Sequence, residues 1–137
     1  MPSHSELQEI RTEKAPAPVG PYSQAIEMDG WIFASGQTPL DPETGEIVGG
    51  EIEDETRQVL SNLEAVLRAA GSGLDRVVRA TVYLTDLGLF PRVNAVYAEA
   101  FSSEPAPARV TIGVAALPLG ANVEIDAIAR TGERSGS

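Results

Sequence analysis

Val77-Val78-Arg79-Ala80-Thr81-Val82-Tyr83-Leu84 is the stretch on which the reading of the fold turns. It is rich in β-branched and aromatic residues and reads as a strand from Val77 to Leu84. Alternation puts Val78, Ala80, Val82 and Leu84 on one face, with Val77 and Tyr83 on the other. Both faces are apolar, so both call for cover. Upstream, Ile52, Val59/Leu60, Leu63, Val66/Leu67 and Ala70 recur at helical spacing. Glu51, Glu53, Asp54 and Glu55 stand at the positive end of that helix dipole, Arg68 near its negative end, and Gly71 is the natural stop. Downstream, a second helix is expected over about 89–101, with Phe90, Val93, Val96/Tyr97 and Ala100/Phe101 as its apolar stripe and Pro91 in its first turn.

Further out, short β-prone runs over 24–28 and 31–35 flank Asp29-Gly30, the strongest short hairpin signal. Asp41-Pro42-Glu43-Thr44-Gly45 is another turn, and 15–21 is a stiff, proline-rich extended loop inside the domain. Strands are expected over 109–114 and 122–130. The order is hairpin, helix, strand, helix, strand, strand: an α+β domain with one sheet and two helices. Two helices cover one sheet face. Trp31 and Phe33 alternate with Ile32 and Ala34, so the other face is also too apolar for water, and a second subunit is expected on it.

The chain has 137 residues, enough for one domain with its own core. Residues 9–130 are read as that domain and residues 1–8 and 131–137 as flexible tails. A net charge of −10 opposes nucleic acid as a partner. The absence of cysteine removes disulfides, thiolate nucleophiles and Cys-ligated zinc. The one histidine, His4, lies in the expected N-terminal tail, so a catalytic triad or a His-based metal site is not expected. No run approaches the ~20 apolar residues of a membrane span, and the first eight residues lack a signal-peptide pattern, so the expected location is the cytoplasm.

Candidate chemistry sits on the last two strands. Arg109 and Thr111 share one face; Glu124 and Asp126 share a face of the other strand. A guanidinium fork matches a carboxylate in two parallel hydrogen bonds, so Arg109 is a candidate clamp for a small anion. The pattern alone favours a strand Arg satisfied by Glu124 or Asp126. Glu124 is a candidate to orient water or move a proton, or is a plain surface residue. Tyr22 either caps a pocket or closes a turn. Ser35-Gly36-Gln37 follows an apolar strand and is either an ordinary strand-end turn or a place where a hydroxyl and a free backbone N–H hold a carboxylate oxygen or a water. Asn94 reads as a solvated polar position on the second helix.

Four segments resemble the RidA (YjgF) family: Gly20-Pro21-Tyr22-Ser23-Gln24-Ala25; Ser35-Gly36-Gln37; Pro107-Ala108-Arg109 running on through Ala115-Ala116-Leu117-Pro118; and Val123-Glu124-Ile125-Asp126-Ala127-Ile128-Ala129. Asn94 also falls where the family helix carries Asn. The resemblance implies a chorismate-mutase-like α+β fold, with a mixed sheet of about six strands and two helices on one face. It implies a homotrimer with sites between adjacent subunits, no cofactor and no metal. The implied activity is hydrolysis of reactive enamine and 2-imino acids to 2-oxo acids and ammonia. Arg109 and Glu124 become the expected catalytic residues, and Tyr22, Ser35, Gly36, Asn94, Thr111 and Pro118 the substrate-binding ones. Many deaminases of the family carry Cys two positions after the Arg; here it is Thr111. Family paralogues with aminoacrylate- or aminomuconate-type substrates, a binding protein without turnover, and an endoribonuclease are the competing readings, the last opposed by the charge.

Overall fold

The structure is a computed structural model that describes residues 6–132. The expected tail stretches 1–5, with His4, and 133–137 lie outside the described residues. Six strands form one sheet: β1 (Gln8–Ile10), β2 (Ala25–Met28), β3 (Trp31–Gln37), β4 (Val77–Leu84), β5 (Ala108–Gly113) and β6 (Val123–Arg130). Their order is β1-β2-β3-β6-β4-β5. Only β4 and β5 pair in parallel; every other neighbouring pair is antiparallel. Helices α1 (Ile52–Ala69) and α2 (Phe90–Ala100) make the two crossovers that parallel strands require.

Local chemistry explains the elements. Asp29 and Gly30 both take positive φ, 55° and 82°, and Met28 faces Trp31 across the turn. Asp54 accepts from the Glu51 N–H at 2.9 Å and opens α1. At its end, Gly71 at φ 80° donates to the Arg68 carbonyl and Ser72 to that of Leu67, which satisfies the last turn. Arg92 of α2 reaches Glu51 at 2.7 Å and Glu53 at 2.8 Å, and its hydrogen bond holds the Glu53 carboxyl down at about 2.

Val59, Leu63, Val66 and Leu67 of α1 and Val93 of α2 pack on Ile32, Val82, Leu84, Val123 and Ile125 of the sheet, all with almost no exposure. Burial of each such side chain contributes about 1.5–3 kcal/mol. Both helices lie on this one face, as expected. Across the sheet, Trp31, Phe33, Val78 and Ile112 stay about 40% exposed. Among the described residues no helix is long and apolar enough to cross a membrane.

The structure corrects the reading of β4. Its pairing with β6 slips between Val77 and Arg79. An extra residue there breaks the period of two. Val77 therefore joins Ala80, Val82 and Leu84 in the core, and Val78 turns to the exposed face. β1 begins at Gln8, a residue read as tail, because it pairs with Glu27 at the end of the hairpin. The other expected tail starts tied down: Thr131 N–H donates to Gly30 and Gly132 N–H to Gly71.

Gln24 precedes β2 rather than joining it. Its buried amide accepts from Thr12 N–H at 2.7 Å and donates to the carbonyls of Thr12, Ala15 and Pro16. One side chain thus fastens the proline-rich loop to the sheet. Gln24→Ala strands those backbone groups and is expected to cost about 2–4 kcal/mol, read as a lower urea midpoint with unchanged slope.

Candidate functional site

Parallel pairing sets Arg109 beside Ala80 and Thr111 beside Val82, so both point to the helix side of the sheet. There α2 presents Phe90, Asn94 and Tyr97, spaced four and three residues apart on one helix face. Asn94 Oδ1 accepts from Arg109 Nη1 at 2.7 Å. The guanidinium carbon lies 4.7 Å from the Tyr97 ring centre and 5.2 Å from that of Phe90. Two aromatic faces and one amide therefore hold the guanidinium, and its remaining N–H groups are left for an anion. The Tyr97 hydroxyl and Thr111 Oγ1 are buried without a partner. Burial pushes the Tyr97 hydroxyl up, and the Arg109 charge opposes that.

Glu124 pairs with Tyr83, and its neighbours Val123 and Ile125 are buried under the helices. It therefore faces the opposite side of the sheet from Arg109, together with Asp126. This overturns the reading in which Glu124 or Asp126 satisfies Arg109. It also corrects Asn94, which holds the guanidinium rather than serving only solvent.

Around Glu124 a cleft of about 340 Å³ is lined by Tyr22, Ser35, Gly36, Pro118, Leu119 and Glu124 among others. The β3–β6 pairing slips between Ala34 and Gln37, which places Ser35 and Gly36 in a bulge. A Cβ on Gly36 would overlap the Glu124 carboxylate, so the glycine makes the room that the carboxylate occupies. Glu124 is half-buried and accepts no hydrogen bond among the described residues. Burial, then the neighbouring Asp126 charge, push its carboxyl above the ordinary carboxylate range. Asp126 itself accepts from the Tyr83 hydroxyl at 2.8 Å.

Ser35 departs from expectation. Its N–H donates to Gln24 O at 3.0 Å and its hydroxyl to Ser23 O at 2.6 Å. Strand pairing has consumed the backbone donor, and the hydroxyl offers the cleft only lone pairs. Tyr22 does both things considered for it: its hydroxyl accepts from Val19 N–H at 3.4 Å, and its half-exposed ring lines the cleft. Five of the eight nominated residues thus gather at the cleft, and Arg109, Asn94 and Thr111 gather at the β5 edge. A larger groove of about 620 Å³ between α1 and α2 contains none of them.

The sequence model described as endoribonuclease L-PSP matches residues 12–131. The chain belongs to the RidA (YjgF, L-PSP) family. A RutC family protein of Pyrococcus horikoshii is 54% identical over 120 residues, covering 88% of this chain and 94% of the relative. The chloroplastic Reactive Intermediate Deaminase A of Arabidopsis thaliana is 50% identical over 120 residues, covering 88% of this chain and 64% of that protein. The crystal structure of RidA from the Antarctic bacterium Psychrobacter superposes with a TM-score of 0.86 at 46% identity, covering 90% of this chain and 98% of the other. The chorismate-mutase-like α+β fold expected from the RidA resemblance is the fold observed.

Sequence reading missed Phe90 and Tyr97 as supports of Arg109. Their spacing from Asn94 was visible, but it was absorbed into the apolar stripe of α2.

Gly36→Ala separates room for the carboxylate from stability. The displaced group is the end of a flexible side chain, so the melting temperature should hold. Any turnover that depends on the position of that carboxylate is expected to slow on the order of 100-fold when it moves by about 1 Å, read in steady-state kinetics.

Proposed function

We propose that this protein hydrolyses reactive enamine and 2-imino acids, of the 2-iminobutanoate and 2-iminopropanoate type, to 2-oxo acids and ammonia. Its role is metabolite damage control. The observation that carries the reading is the split site. A preorganised arginine fork and an unpaired, half-buried carboxylate in a cleft lie on opposite faces of one sheet. One chain cannot bring them together. A homotrimer does, when the apolar face bearing Trp31 and Phe33 is covered by another copy and the β5 edge of one subunit meets the cleft of the next. The Arabidopsis relative's name supports the same chemistry.

Arg109 holds the substrate carboxylate through the N–H groups that Asn94 leaves free. The backbone of Gly36 assists, Thr111 flanks Arg109 on β5, and Tyr22 and Pro118 form walls. Glu124 takes a proton from water as the oxygen bonds to the imine carbon and returns it to the nitrogen, which gives the carbinolamine. Glu124 then takes the carbinolamine O–H proton and delivers it to the nitrogen as the C–N bond breaks, so that ammonia leaves and the 2-oxo acid remains. Ser35, with only lone pairs to offer, accepts from the substrate N–H or the water. Imines hydrolyse unaided, so positioning and proton transfer suffice, and water is the only co-reactant. The family description names an endoribonuclease, but a net charge of −10 sets this chain against a polyanion.

The decisive assay generates imines with an amino-acid oxidase in the presence of semicarbazide. Wild type should suppress semicarbazone formation. Arg109→Ala should lose about 30- to several-thousand-fold in kcat/KM while light scattering still reports a trimer. Arg109→Lys should rescue poorly, because a point charge lacks the fork. Full activity in the Lys variant would remove the clamp.

The pH profile is a second check. With Glu124 as base and its carboxyl raised, activity climbs with pH across a limb above the ordinary carboxylate range. That limb should vanish in Glu124→Gln.

A further inference from the structure

Among the described residues two that are not glycine take positive φ, Asp29 in the β2–β3 hairpin and Leu119 in the loop before β6. Leu119 sits at φ 61°, ψ 21° and is followed by Gly120 at φ 73°, while Ala121 N–H donates back to Pro118 O at 3.1 Å. Two successive left-handed residues closed by that bond make a turn of the primed type, whose first central position favours Asn, Asp or Gly. The chain has a second turn with paired positive φ values, at the β2–β3 hairpin, and there it uses the favoured pair, Asp29-Gly30. Leucine is therefore not selected at 119 by the turn. A branched side chain pays for left-handed geometry that asparagine tolerates.

Packing within the chain does not select it either. Leu119 is 57% exposed and lies outside the hydrophobic core. What it does touch is the cleft, whose wall it shares with Ala17, Val19 and Leu40, while Glu124 and Ser35 line the same space. A cleft of about 340 Å³ also exceeds what a three-carbon acid fills.

Resting on the deaminase reading, we propose that Leu119 is a specificity-determining residue that makes the site prefer 2-imino acids with an extended apolar side chain. The strained turn holds an apolar surface beside Glu124 and Ser35, and the substrate side chain provides burial that this chain by itself does not.

The test uses Leu119→Asn and Leu119→Gly, both compatible with the turn. Imines made from leucine and from alanine by an L-amino-acid oxidase are the probes. Wild type should favour the leucine-derived imine. Both variants should lose about tenfold in kcat/KM on it and less than about twofold on the alanine-derived one. Melting temperature should stay level or rise, and light scattering should be unchanged. Equal losses on both imines, no loss on either, or dissociation of the subunits overturns the assignment and makes Leu119 a turn or interface residue. Wild type inactive on both imines brings down the deaminase reading and this assignment with it. Wild type active on both, with an unchanged ratio in the variants, brings down only the assignment.

Discussion

Everything in this fold depends on the insertion of β6 between β3 and β4. Those two strands run in the same direction, and α1 carries the chain between them. β6 enters last, antiparallel to both, and buries Val123, Ile125, Ala127 and Ala129 beneath the helices. Strict alternation then leaves Glu124 and Asp126 on the other face. The hydrophobic requirement of one face thereby fixes the position of the charged groups on the other. A slip of one residue would exchange the two sets and expose the core.

The same constraint separates Arg109 from Glu124. β5 lies beyond β4 at the edge of the sheet, and its parallel register turns Arg109 toward α2. There Asn94 and two aromatic rings limit the directions in which the guanidinium can point. Glu124 has no comparable partner. It sits against a glycine, partly removed from water and next to another carboxylate, so it keeps its proton more readily than an ordinary Glu. A fixed cation and a carboxyl of adjustable protonation suit chemistry in which one end of a substrate is anchored and a proton moves at the other.

Much of the architecture was legible in the residues. Asp29-Gly30 marked the hairpin because few pairs accept two positive φ values. Gly71 marked the end of α1 for the same reason, and the apolar stripes of α1 and α2 marked their buried faces. Other features carried no local signal. The bulge at Val78 reverses which valine is buried, yet nothing in a run of valines reveals an extra residue. β1 has three residues, too few to show a period. Ser35 looked like a free donor, because its partners, Gln24 and Ser23, become neighbours only when β2 and β3 pair.

The sequence by itself determined both helices and the five longer strands, the hairpin, the helix ends and the residues worth suspecting, because these follow from propensities and periodicities within a few residues. It also placed Arg109 with Thr111 and Glu124 with Asp126, since alternation is a property of one strand. Only the tertiary structure decided that these pairs lie on opposite faces of the sheet. Relating the faces of two strands requires knowing which strands pair, in which direction and in what register, and those contacts join residues distant in the chain. The left-handed Leu119 was likewise invisible, because its conformation is imposed by the turn into β6 and opposes the preference of its own side chain.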